Sequence, residues 1–261
     1  MQKIIAPLLK YVNIILCVFH LKIFFALIQV LQYRELKCII VLLSDEEKHM
    51  EITGAIFDFD GTLFDSMHIW HGIRDKFFDR IGLVLTAEDR EAFRGLYLRE
   101  SLILAKERFG MQESVEELLS MFFEYIKGRY LAEAEPKNDI IPFLEKLKAR
   151  GIKMGIATAT GEPALEAVLE KYGMLGYFSA IYSTYTVGAS KHEPKVYDVV
   201  LGKIGTDKET TWVFEDAFYA ASTAKKNGYK LVGIYDKSEP ETDRLRDISD
   251  IYIHNYSEID L

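Results

Sequence analysis

The chain has 261 residues, of which 49% are apolar and 28% charged. Those fractions lie near the globular averages and exclude general disorder, and at roughly 100 to 200 residues per domain the length fits one large domain or two modest ones. A net charge of −8 argues against nucleic-acid binding as the main business. Two cysteines exclude a disulfide framework or a four-cysteine zinc site, and a reducing, cytoplasmic setting is expected.

The N-terminus differs from the rest. Of residues 1–43, 31 are apolar and none is glycine. Residues 1–44 carry a net charge of +4, leaving −12 on 45–261. Three readings compete for this extension of residues 1–49. Tyr11–Tyr33 is long enough for a membrane anchor, but Lys22 at its middle costs about 2.5–3.5 kcal/mol on an insertion scale. A signal peptide is interrupted by Lys10, Lys22 and Arg34, with no small-residue cleavage site after them. The third reading is a start assigned too early. Glu46, Glu47 and Lys48 force a purine-rich codon run just before Met50, as a bacterial ribosome-binding site would. The expectation is a native start at Met50, and contact with a membrane only if residues 1–49 are genuine.

From Met50 onward the pattern is that of a folded domain. Residues 51–57 read as a short buried strand running into Asp58-Phe59-Asp60-Gly61-Thr62. A long stretch follows with helical apolar spacing: Ile69, Ile73, Phe77, Phe78 and Ile81, then Leu118, Leu119, Phe122, Phe123 and Ile126. From about 139 the pattern alternates. A helix over 140–150 stops at Gly151, a strand covers 152–157, and Pro163 opens a helix that closes at Gly173. Further strands are predicted near 180–183, 211–214 and 230–234, with helices between. Strand–helix alternation predicts an α/β fold, a Rossmann-like parallel sheet with helices on both faces. The core takes residues 50–65 and 139–261, and an all-helical cap, residues 66–138, is inserted after the first strand.

In an open parallel sheet, functional groups collect at the carboxyl ends of the strands. Those ends carry Asp58 and Asp60, then Thr158 and Thr160, then Lys191, then Glu215 and Asp216. Four carboxylates converging on one crevice call for a cation, and hard oxygen ligands suit Mg2+. A lysine and a hydroxyl beside Mg2+ suit a phosphoryl group.

At these residues the chain resembles the haloacid dehalogenase superfamily of phosphohydrolases. The motifs are Asp58-Phe59-Asp60-Gly61-Thr62-Leu63-Phe64-Asp65-Ser66, Ile156-Ala157-Thr158-Ala159-Thr160-Gly161, Ser190-Lys191-His192-Glu193-Pro194 and Val213-Phe214-Glu215-Asp216-Ala217. The resemblance covers about 50–261 and implies roles. Asp58 is the expected nucleophile, forming an aspartyl-phosphate. Asp60 is the expected general acid and then base. Asp58, the Asp60 main-chain carbonyl and Asp216 are the expected Mg2+ ligands, with Glu215 nearby or bound through water. Thr158 and Lys191 are expected on the phosphoryl oxygens, and Arg99 and Glu100 are cap candidates for substrate binding.

Several of these residues have simpler readings. Thr160 can cap the helix that follows it, and Asp65 and Ser66 can cap the first cap helix. Lys195 is expected to face solvent, and His68 and His71 to be surface or packing residues. Three departures from the family pattern are Ser190 in place of glycine, a weakened Lys-Pro-x-Pro, and Asn138-Asp139 in place of Pro-Gly.

The expected activity is Mg2+-dependent hydrolysis of a small phosphorylated metabolite, with no nucleic-acid partner. A β-phosphoglucomutase-like mutase is the nearest alternative, but Trp70 stands where that family carries a histidine. A non-catalytic phospho-ligand-binding or membrane-tethered protein is the alternative of another class. The sequence leaves the oligomeric state open.

Overall fold

The computed structural model describes residues 52–260. The anchor, signal-peptide and late-start readings of residues 1–49 all lie outside the described residues. Among the described residues, no helix is long and apolar enough to cross a membrane.

Six strands make one parallel sheet: β1 (Gly54–Phe57), β4 (Lys153–Thr158), β5 (Ala180–Ser183), β6 (Thr211–Glu215), β7 (Lys230–Ile234) and β8 (Ile251–Ile253). Their spatial order is β5-β4-β1-β6-β7-β8. The chain therefore leaves β1 toward one edge and returns to build the other half on β1's opposite side. That reversal is the topological switch point of a Rossmann-like sheet, where a crevice opens beyond the strand ends. Two other strands, β2 (Phe64–Asp65) and β3 (Glu135–Pro136), pair antiparallel where the chain enters and leaves the long helical segment.

That segment holds α1 (Met67–Trp70), α2 (Ile73–Arg80), α3 (Ala87–Ala92), α4 (Leu98–Phe109) and α5 (Val115–Glu133). Most of the predicted apolar stripe is buried, with Ile69, Phe77, Phe78, Leu118, Phe122 and Ile126 inaccessible, whereas Ile81 and Leu119 are half-buried and Phe123 is exposed. Capping boxes start α3 at Thr86 and α5 at Ser114. Each meets the first unpaired amides of its helix with a hydroxyl and a returning carboxylate.

The sheet is covered on both faces, as its sequence periodicity requires. Successive strand residues point to opposite sides. Ile56 and Val213 join the cluster formed with Val196, Val200 and Ile204 of α9 (Lys195–Ile204). Their neighbours Phe57 and Phe214 stack at 4.4 Å in a separate aromatic group, and Phe143 of α6 (Ile140–Ala149) meets Phe214 at 5.7 Å. The remaining helices are α7 (Glu162–Lys171), α8 (Thr184–Val187), α10 (Phe218–Lys226) and α11 (Thr242–Ile248).

Asp139, at the start of α6, adopts a left-handed backbone with φ 61°. This is the position where the sequence carries Asn138-Asp139 in place of a Pro-Gly pair. Aspartate is among the few residues that tolerate this conformation, so the turn keeps its geometry without glycine.

Gly155 marks how closely α9 lies on the sheet. A Cβ built there would sit 2.4 Å from Val200 Cγ1 and 3.1 Å from Ile204 Cγ2. Gly155→Ala is therefore expected to lower unfolding free energy by about 1–3 kcal/mol through overpacking. Urea denaturation checks this, and an unchanged midpoint would contradict the close approach.

Candidate active site

Asp58 follows β1, Thr158 ends β4 and Glu215 ends β6, so three adjacent parallel strands deliver them to one crevice. Lys191 arrives on the loop between α8 and α9. It is the one buried lysine among the described residues. Its Nζ lies 2.7 Å from Asp58 Oδ1 and 2.8 Å from Glu215 Oε2. The two carboxylates hold the Lys191 ammonium well above the ordinary lysine range, although burial alone would lower it.

Asp58, Glu215 and Asp216 present carboxylate oxygens that all lie within 4.8 Å of one another. Burial, and then the Asp58 charge, push the Glu215 and Asp216 carboxyls well above the usual carboxylate range. Each has polar support. Tyr197 donates to Glu215 Oε2 at 3.0 Å, and Thr62 donates to Asp216 Oδ1 at 3.0 Å. Glu215 Oε1 is buried with no hydrogen-bond partner among the described residues. A buried acceptor without a donor is costly. Three acids facing one ammonium form a hard-oxygen donor set that fits a divalent cation such as Mg2+.

The Asp60 carboxylate lies outside that trio and is held by hydroxyls. Ser66 donates to Oδ1 at 2.6 Å, Thr160 donates to Oδ2 at 2.6 Å, and Tyr130 also donates to Oδ1. Burial pushes the Asp60 carboxyl up, and the three hydroxyls oppose that shift. The Tyr130 hydroxyl accepts in turn from Trp70 Nε1 at 2.8 Å. Burial and the facing Asp60 carboxylate drive the Tyr130 pKa well up, so it stays a donor.

Thr158 is fully buried, and its Oγ1 accepts the Thr160 amide at 3.1 Å. Because the acceptor side is engaged, the Thr158 O–H is available to donate into the crevice.

The structure thus brings Asp58, Asp60, Thr158, Lys191, Glu215 and Asp216 together. It does not bring Arg99 or Glu100 to them. Arg99 pairs with Glu116 at 2.5 Å, and Glu100 accepts the Tyr97 amide at 2.9 Å as part of the cap of α4. Thr160 and Ser66 depart from their simple capping readings. Gly161 is the N-cap of α7, and Ser66, although it is the N-cap of α1, makes no side-chain capping bond. Both hydroxyls are given to Asp60. Lys195, His68 and His71 are exposed, as expected.

Sequence reasoning missed Tyr130, Tyr197 and Thr62. Tyr130 continues the apolar stripe of α5, so its spacing marks it as buried but not as a partner of Asp60. Thr62 lies inside the first motif and could have been found there.

Comparison with known proteins follows the same outline. The family description for haloacid dehalogenase-like hydrolases matches residues 55–234. The phosphorylated carbohydrates phosphatase of Thermotoga maritima is 26% identical over 179 residues, covering 68% of this chain and 82% of that protein. Hexitol phosphatase B of Escherichia coli is 24% identical over 220 residues, covering 80% and 95%. Among solved structures, CbbY from Rhodobacter sphaeroides in complex with phosphate aligns with a TM-score of 0.63 at 19% identity, covering 79% and 96%. The β-phosphoglucomutase of Clostridium difficile aligns at 0.56 and 17% identity, covering 80% and 94%. These two show a shared fold. The chain belongs to the haloacid dehalogenase-like hydrolases and is an enzyme of that family.

Gly61 is required by the geometry of the acid cluster. It has φ +74°, and a Cβ there would lie 2.0 Å from Asp216 Oδ2. Gly61→Ala is expected to displace the Asp216 carboxylate, with a backbone cost alone of about 1–2 kcal/mol. A wild-type denaturation midpoint for this variant would refute the constraint.

Proposed function

We propose that this enzyme is a phosphatase that hydrolyses the phosphomonoester of a small organic metabolite, with Asp58 as nucleophile and Asp60 as acid and base. The observation that carries the reading is the division of labour between two carboxylates two residues apart. Asp58 lies against Lys191 and the other acids, whereas Asp60 is held apart by three hydroxyls. Two acids in different surroundings are suited to different roles.

In this reading an Asp58 oxygen attacks phosphorus in line. The bond to the ester oxygen breaks, its electron pair stays on that oxygen, and Asp60 supplies the proton. Asp60, now ionised, takes a proton from the water that attacks the phosphoryl group on Asp58. Inorganic phosphate departs and the Asp58 carboxylate is restored. Lys191 and the Thr158 hydroxyl bind phosphoryl oxygens and counter their charge. Asp58, Asp216, Glu215 and the Asp60 carbonyl would hold Mg2+, which when bound supplies positive charge to the phosphoryl oxygens and the acids around them.

The helices α1 to α5 act as a cap domain between the first and second catalytic motifs, and the enclosure they provide favours a small substrate over a phosphoprotein. The named phosphatases among its relatives support a phosphorylated sugar or a similar metabolite as substrate. A mutase is not favoured, because the Trp70 indole nitrogen is committed to Tyr130 and offers no titrating group.

Asp58→Asn is expected to abolish phosphate release from 4-nitrophenyl phosphate, since an amide of the same shape is a poor nucleophile. Chelation should also stop release, and added Mg2+ should restore it. Measured as kcat/KM, which reads only the transfer to Asp58 and not the later hydrolysis that also uses Asp60, Asp60→Asn should slow alkyl esters by about 10²–10⁴-fold and aryl esters much less, because only the poor leaving group needs a proton. Equal losses on both esters would remove Asp60 from the acid role, and near-normal turnover by Asp58→Asn would end the covalent mechanism.

A further inference from the structure

A cavity of about 520 Å³ lies between α5 and the start of α7, and its lining includes Thr160, the residue that donates to Asp60. This volume suits a small organic ligand. Its walls are chiefly apolar: Trp70, Leu119, Phe122, Phe123, Ile126 and Tyr185. Phe123 of α5 and Tyr185 of α8 meet edge to face at 5.9 Å, so one aromatic pair joins the helical segment to the core at this cavity.

The polar groups of the lining are largely committed. Glu116 pairs with Arg99. Glu162 accepts from the Ser183 amide at 2.8 Å and from Thr186 at 2.5 Å. Thr160 is bonded to Asp60, and the Trp70 indole donates to Tyr130. Ser120, Glu124 and Lys127 remain for a ligand. A polyol entering this cavity would leave several hydroxyls without partners, each at a desolvation cost. An aryl or alkyl group would bury its surface against rings and methyl groups.

We infer that the cavity receives the organic part of the substrate and selects phosphomonoesters bearing an aromatic or largely apolar group over sugar and hexitol phosphates. The inference rests on the phosphatase reading, because the cavity acquires this role only if the phosphoryl group sits at Asp58. It departs from the substrates named for the relatives.

The test compares 2-phenylethyl phosphate with sorbitol 6-phosphate on the full chain. Both release a primary alkoxide, so leaving-group chemistry is nearly matched and the ratio of kcat/KM reads the cavity. 2-Phenylethyl phosphate is expected to be favoured by roughly tenfold or more. Phe123→Ala and Tyr185→Ala should each narrow that ratio, and because both side chains are partly exposed both variants are expected to fold. A ratio at or below one, or a ratio that neither variant changes, overturns the inference while phosphate release keeps the phosphatase reading intact. Absence of release from both esters and from 4-nitrophenyl phosphate overturns the phosphatase reading, and this inference with it.

Discussion

Four carboxylates are buried at the end of one sheet around one buried ammonium, and much of the remaining structure answers that imbalance. Asp58, Asp60, Glu215 and Asp216 are each less than one-tenth exposed. Charged groups withdrawn from water are unfavourable unless paired and hydrogen-bonded. Lys191 bridges Asp58 and Glu215, Tyr197 adds a second donor to Glu215, Thr62 serves Asp216, and three hydroxyls serve Asp60. What these partners leave uncovered, Glu215 Oε1 and the excess negative charge of the trio, is what a divalent cation would meet. Stability and function thus meet in the same atoms.

The backbone makes this concentration possible. Parallel register aligns Phe57 with Ile156 on one side and Phe214 on the other. The residues immediately beyond each strand are therefore neighbours, although they are far apart in sequence. Gly61 lets the loop after β1 turn directly beneath Asp216, where any side chain would collide with it. Two of the hydroxyls on Asp60 come from distant segments, Tyr130 on α5 and Thr160 after β4, and the third, Ser66, lies six residues further along the same motif. The acid is oriented by the tertiary fold as well as by its own segment.

The core of this arrangement was legible in the sequence because strand ends carry their chemistry in short, contiguous motifs. Asp58, Asp60, Thr158, Lys191, Glu215 and Asp216 could each be read from their own neighbours. β8 was not anticipated, since Ile251–Ile253 is three residues long and gives no periodic signal. Thr160 and Ser66 were each open to a local reading as caps; Thr160 finds its partner Asp60 a hundred residues away, and Ser66 finds the same carboxylate six residues back. Arg99 and Glu100 were drawn toward the substrate by their place in the inserted segment. In the fold, Glu116 and the Tyr97 amide claim them first. Charges on helices are settled by neighbours that a linear reading does not see.

Helix α5 ties the two halves of the site together. Phe122, Phe123 and Ile126 face the cavity, and Tyr130, seven residues beyond Phe123, bonds Asp60. Seven residues are about two helical turns, roughly 10 Å along one rigid element. Trp70 closes the circuit, since its ring lines the cavity and its nitrogen donates to Tyr130. A displacement of α5 that opened the cavity would also carry the Tyr130 hydroxyl away from Asp60. A ligand that filled the cavity and held α5 in place would keep that bond made. In such an arrangement the organic group of the substrate, remote from the bond that breaks, contributes to positioning the acid, which is one way binding energy far from the reacting atoms can be used for catalysis.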